Sequence, residues 1–143
     1  MNDYRYGNGD ARSQGFSLKL TPPLAKDLFS AQAEAAAKRC QAGKDKNKRT
    51  QIRRFYDELA LWADAVRTAE DRDAKFAEVM PFIQMLQAKA AYAQARKLID
   101  QEFHDLMKAL LNEIKSPESL ENGKLFFEAF LGYKTYYEEV KGK

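Results

Sequence analysis

The residues best supplied for chemistry are cations, and the chemistry open to them is holding a polyanion. From Lys38 to Arg54 the chain carries eight basic residues, Lys38, Arg39, Lys44, Lys46, Lys48, Arg49, Arg53 and Arg54, against one acid, Asp45. A second group, Lys89, Tyr92 and Arg96, is spaced i, i+3 and i+7, which sets two cations and a ring on one helical stripe with Lys97 beside it. Two readings are open for such stripes. Either they are solvated faces tied by weak i,i+4 pairs, here Arg53–Asp57 and Arg54–Glu58, or they are anion contacts.

Other chemistry is poorly supplied. One histidine and one cysteine cannot build the usual metal or nucleophile constellations. His104-Asp105 has the order of the central pair of HD phosphohydrolases but lacks the further histidines that site needs, and Glu102 and His104 are two apart, not the three of a Glu-x-x-His di-iron helix. Gly43 has no companions for a phosphate loop, and Asp71 and Asp73 flank Arg72 in what reads as a solvated link. The expectation is no catalysis, no cofactor and no metal.

The totals agree with a polyanion contact on one side of the molecule. The 143 residues suit a single domain, 45% of them are hydrophobic, and the net charge is +3. That charge is unevenly placed: through Tyr56 there are twelve basic and five acidic residues, or +7, and from Asp57 onward twelve and sixteen, or −4. No apolar run approaches the ~20 residues a bilayer span needs, so no membrane contact is expected. The start of the chain has no apolar signal region, and Cys40 alone cannot make an internal disulfide, which together point to a reducing cytoplasm.

The elements that must position these residues are helices. Residues 1–20, with Gly7, Asn8, Gly9 and Gly15, read as a flexible tail, and 21–143 as one helical bundle. Thr21-Pro22-Pro23 reads as a helix start, followed by an Ala-rich helix through Cys40 that ends at Gly43. Thr50 reads as the cap of a second helix with its apolar face at Ile52, Phe55, Tyr56, Leu59, Trp62, Ala63 and Val66. A third begins after the charged link at 68–73, and Pro81 is expected to kink or break it before Phe82 starts the row Phe82, Leu86, Ala90 and Ala93. Ile99, Phe103, Leu106, Met107, Leu110, Leu111 and Ile114 form the clearest core stripe. Ser116-Pro117 starts a last, aromatic-rich helix whose first turn Gly123 should loosen. The fold class is all-α, a compact bundle of five to six helices. If the Thr50 helix and the Lys89 helix are neighbours, their basic stripes join.

Two of these segments together resemble a known family. Asn47-Lys48-Arg49-Thr50-Gln51-Ile52-Arg53-Arg54-Phe55-Tyr56-Asp57-Glu58, followed some twenty residues on by Met80-Pro81-Phe82-Ile83-Gln84-Met85-Leu86-Gln87-Ala88-Lys89-Ala90-Ala91-Tyr92-Ala93, is similar to the small subunit of type III-A CRISPR-Cas effector (Csm) complexes. Leu125-Phe126-Phe127-Glu128-Ala129-Phe130 with Tyr133, Tyr136 and Tyr137 resembles that family's last helix. The resemblance implies a non-catalytic helical subunit of an antiviral defence complex. It would stack in copies along the filament beside the other subunits and contact the phosphate backbone of the CRISPR RNA and target RNA. On that reading Lys48, Arg49, Gln51, Arg53 and Arg54, then Lys89, Tyr92 and Arg96 with Lys97 beside them, line the RNA track. A subunit that leaves sequence reading to base pairing needs cations and few base-edge readers. The alternatives are a helical adaptor that binds only proteins, and a DNA-binding regulator. The charged link after the Thr50 helix lacks the tight turn that a helix-turn-helix regulator requires.

Overall fold

The computed structural model describes residues 15–43 and 45–141. Its helices are α1 (Ala33–Arg39), α2 (Arg49–Arg67), α3 (Arg72–Ala95), α4 (Gln101–Asn112) and α5 (Pro117–Tyr136), with five-residue π-helical turns at Leu28–Gln32 and Tyr137–Lys141. Among the described residues there is no strand, as the helical periodicity implies. In section the neighbours run α1, α5, α2, α3, α4, and α4 closes back on α1.

The apolar spacings set the buried faces. On α2, Ile52, Phe55, Leu59, Ala63 and Val66 are buried, and on α4 so are Phe103, Leu106, Met107, Leu110 and Leu111. Their rings meet in the centre: Phe103 lies 5.5 Å from Phe55, 6.2 Å from Phe127 and 6.1 Å from Phe130. Ser116 caps α5 through a capping box with Ser119, and Pro117 occupies the first turn, as its sequence suggests. Asp71 and Asp100 cap α3 and α4 by accepting bonds from Ala74 N and Phe103 N, both at 3.0 Å.

Four expectations change. The anticipated interruption at Pro81 is absent, and α3 runs on through it as one helix. Pro81 and Ala77, whose carbonyl would have accepted the missing amide bond, are both exposed, so water can serve that carbonyl, while buried Val79 and Ile83 pin the helix on either side. Phe82 consequently points outward, and Ile83 takes the core position expected of it. The N-terminal helix does not start at Thr21; residues 21–23 form a bend, and the first buried residue after it is Leu28. Residues 16–20 pack rather than trail: Phe16 and Leu18 lie against the core, Leu20 is fully buried, and Asn122 Nδ2 donates to the Leu20 carbonyl at 2.9 Å. Gly123 serves that packing, because a Cβ there would lie 3.3 Å from Leu20 Cδ1 and 3.5 Å from Ile114 Cδ1. Residues 1–14 of the expected tail, and Lys44 of the basic loop, lie outside the described residues.

Thr50 is not the cap of α2. The helix begins at Arg49, two residues before the start that a Thr50 cap would give, with Lys48 as its N-cap and no side chain serving as cap. Its start is set by tertiary bonds to Asn47, which is fully buried with a left-handed φ of 59°. Asn47 N donates to the Leu98 carbonyl at 3.0 Å, its Oδ1 accepts from Asp100 N at 3.0 Å, and its carbonyl accepts from Lys134 Nζ at 2.8 Å. One residue therefore ties the loop before α2 to the α3–α4 turn and to α5.

Across the α2–α5 contact, Tyr56 donates from its hydroxyl to Glu128 Oε2 at 2.7 Å. Burial, then this bond, pushes the Tyr56 phenol up to about 12, and the same bond holds Glu128 below its ordinary range. The raised phenol contributes stability that is present below pH 10 and lost as pH rises to about 12. Tyr56→Phe is therefore expected to flatten that part of the alkaline fall, read by urea denaturation at pH 9 to 12. An unchanged alkaline profile would mean the phenol is not held this way.

Candidate nucleic-acid interface

The antiparallel α2–α3 pair brings the two basic stripes side by side, because the turn after Arg67 folds α3 back along α2. Between them runs a groove of about 280 Å³, with Gln51, Arg54 and Glu58 on the α2 wall and Lys89 and Tyr92 on the α3 wall. Its floor is Phe55, Leu86, Ala93 and Leu98. Arg96 and Lys97 follow at the end of α3.

The expected track residues do not form a single row. Arg49, Arg53 and Arg54 line a second groove, of about 470 Å³, between α2 and α5 with Leu131 and Thr135. Arg54 lines both grooves and so stands on the ridge between them. Lys48 is exposed at the N-cap of α2.

Their charges differ in availability. Arg49 pairs with Glu139 and Glu138, and these carboxylates, Glu139 first, raise its pKa above the ordinary arginine value. Arg53 pairs with Asp57 at 3.2 Å, as the i,i+4 spacing suggests, and lies 5.1 Å from the Tyr56 ring centre. The expected Arg54–Glu58 pair is not formed: Glu58 accepts from Lys89 Nζ at 2.7 Å across the groove. A lysine on the neighbouring helix thus displaces the same-helix partner, which sequence spacing alone could not show. Among the described residues Lys48, Arg54 and Lys97 make no ion pair, and Arg96 Nη1 bonds only a neutral group, the Tyr92 hydroxyl, at 2.7 Å. Of the expected track residues these four are the cations most available to an anion, since the ion pairs of Arg49, Arg53 and Lys89 must first be broken.

Lys97 holds an unusual backbone position. Its φ is 64°, and the Lys97 N and Leu98 N bonds to the Gln94 and Ala93 carbonyls, both at 2.9 Å, form the Schellman ending of α3. Glycine fits that position with least strain. Lys97→Gly is therefore expected to raise stability by about 1 kcal/mol while weakening anion binding. Thermal unfolding together with RNA affinity checks both signs, and a stability loss would contradict the strain argument.

Sequence reading missed the anchors behind the interface. Asn47 and Lys134 bury polar groups directly beneath the α2 start, and neither has a periodic or motif signal. The other reactive types are used structurally. Cys40 is buried, which drives its thiol well above the ordinary value, and His104 is half-buried against Gln94. Among the described residues no group of three or more His, Cys, Asp or Glu is placed to hold a metal, and no helix is long and apolar enough to cross a membrane.

One surface lies outside the basic region. On α3, Phe82 is 52% and Met85 56% exposed, Trp62 stacks on Phe82 at 5.6 Å, and Leu61 is exposed on α2. No curated protein and no solved structure matches the chain. A family model described as Csm2 Type III-A matches residues 24–140, a span that holds all five helices, both grooves and every cation discussed above. The chain belongs to the Csm2 family, the small subunit of type III-A CRISPR effector complexes, in which it works with the complex's other subunits.

Proposed function

We propose that this chain is a non-catalytic subunit that steadies RNA on a type III-A effector in antiviral defence. Its available cations, Lys48, Arg54, Arg96 and Lys97, contact the phosphate backbone of the CRISPR RNA–target RNA pair in the cytoplasm. The observation that carries this is the side-by-side placement of the α2 and α3 stripes with four cations not engaged by carboxylates. Lys89, Gln51 and Tyr92 line the same groove, whereas Arg49 and Arg53, on the α5 side and engaged by acids, contribute less. Such contacts are independent of base sequence, which suits a complex whose specificity comes from pairing with a guide.

The exposed Leu61, Phe82 and Met85 beside Trp62 favour a protein contact as well, either with a further copy along the filament or with a neighbouring subunit. This is also the observation behind the adaptor reading, in which the cations only solubilise the surface. Co-purification separates the two. An Arg54→Glu, Arg96→Glu, Lys97→Glu variant is expected to enter the effector complex normally and to retain less target RNA. Normal incorporation with full RNA retention would leave only the adaptor.

A further inference from the structure

The α2–α3 groove is not built for a phosphate alone. Its floor of Phe55, Leu86 and Ala93 is buried and apolar, a poor seat for a strongly hydrated anion. Above that floor Tyr92 is 61% exposed, and on a soluble surface so large a ring shields almost nothing of its own chain. The ring is nevertheless held in place: its hydroxyl accepts from Arg96 at 2.7 Å, and the Arg96 guanidinium lies 5.7 Å from the ring centre. Opposite it, the side-chain amide of Gln51 is half-buried in the α2 wall and makes no hydrogen bond among the described residues. An apolar floor, a fixed aromatic wall, a free amide and cations at the rim form the surroundings of a flat heterocycle attached to phosphates.

We infer that this groove seats one unpaired nucleobase of an RNA strand, stacked on Tyr92, with Gln51 at its edge and Arg54 and Arg96 on the flanking phosphates. The inference rests on the RNA-contacting reading above and adds the ligand to it: a base outside the helical stack, not only a duplex backbone. Size supports a single base, since about 280 Å³ is below the ~300–1,000 Å³ of pockets that enclose drug-sized molecules. A paired base cannot enter, because A-form pairing keeps its faces stacked and its deep groove closed to side chains. The occupant is therefore single-stranded or extruded. Stacking tolerates any base, so the site need not impose a sequence preference.

The test uses the full chain with an oligouridine carrying one central 2-aminopurine, whose fluorescence falls on stacking, and a matched oligonucleotide with an abasic residue there. The expected result is quenching on binding and weaker binding of the abasic strand. Tyr92→Ala should remove the quenching and weaken binding by on the order of tenfold with an unchanged salt slope, whereas Tyr92→Phe, which keeps the ring beside the Arg96 guanidinium but loses the hydroxyl bond, should retain the quenching and most of the affinity. Tyr92 is exposed, so thermal unfolding of both variants should match the parent. Equal affinity for the two strands without quenching, but with a full salt slope, would overturn the base site and leave the phosphate contacts standing. Absence of any RNA binding, together with full RNA retention by complexes carrying the triple Glu variant, would overturn both.

Discussion

Phe103→Ala is expected to lose about 3–5 kcal/mol of stability, the largest single-residue effect in the chain. Phe103 is fully buried on α4, and its ring touches the rings of Phe55 on α2 and Phe127 and Phe130 on α5. Truncation removes the apolar surface that joins three helices and leaves a hole whose walls belong to different elements. Those walls cannot collapse without moving the helices, so little of the cavity cost is recovered. Domains of this size hold roughly 5–15 kcal/mol in total, and the variant would retain only part of that margin. Urea denaturation measures it, with Leu61→Ala as the exposed control, expected to change stability by no more than about 0.5 kcal/mol. Similar midpoints for the two would show that α4 does not fill the centre.

Glu138→Gln is the second large effect, with an expected loss of about 3 kcal/mol. Lys134 is only 1% exposed, and its ammonium is held by the Asn47 carbonyl at 2.8 Å and by the Glu138 carboxylate. Neutralising Glu138 leaves a buried cation facing only neutral oxygens, a far larger penalty than loss of a surface pair. The carboxylate also accepts from Ala42 N at 2.9 Å, so the change loosens the loop that leads into α2. A double replacement, Lys134→Met with Glu138→Leu, removes both charges and is expected to recover part of the loss. If the double variant is the less stable of the two, the burial of charge is not the source of the effect.

Much of this fold is legible in the chain. The buried rows of α2 and α4 follow from 3.6-residue spacing, and Ser116-Pro117 marks the start of α5 through local chemistry that needs no tertiary partner. Where a local rule competes with packing, packing prevails. Pro81 on its own would end α3, but its outward position and the anchored Val79 and Ile83 carry the helix across it. Thr50 offers a cap, but Asn47, bonded to Leu98, Asp100 and Lys134, starts α2 earlier, and those partners lie 51 to 87 residues away where no window of sequence reaches. Leu20 reads with a glycine-rich tail because Phe16, Leu18 and Leu20 do not make a helical spacing, yet it fills the space that Gly123 leaves open. The candidate interface is legible as two stripes and not as two grooves. Which cations are spent on carboxylates depends on pairs such as Lys89–Glu58 between helices, and Arg54 is available because Glu58 turns to its neighbour.

The central claim, that the available cations hold RNA phosphates, is tested most directly by the salt dependence of target-RNA affinity in a reconstituted type III-A effector. The parent chain is compared with the Arg54→Glu, Arg96→Glu, Lys97→Glu variant at equal incorporation. Every phosphate that is no longer neutralised should make the log–log slope shallower by about 0.7 to 0.9, so the variant should bind more weakly at low salt with a slope reduced by about 2 to 3. Equal affinities and parallel slopes would contradict the claim and turn these stripes toward solvent or protein.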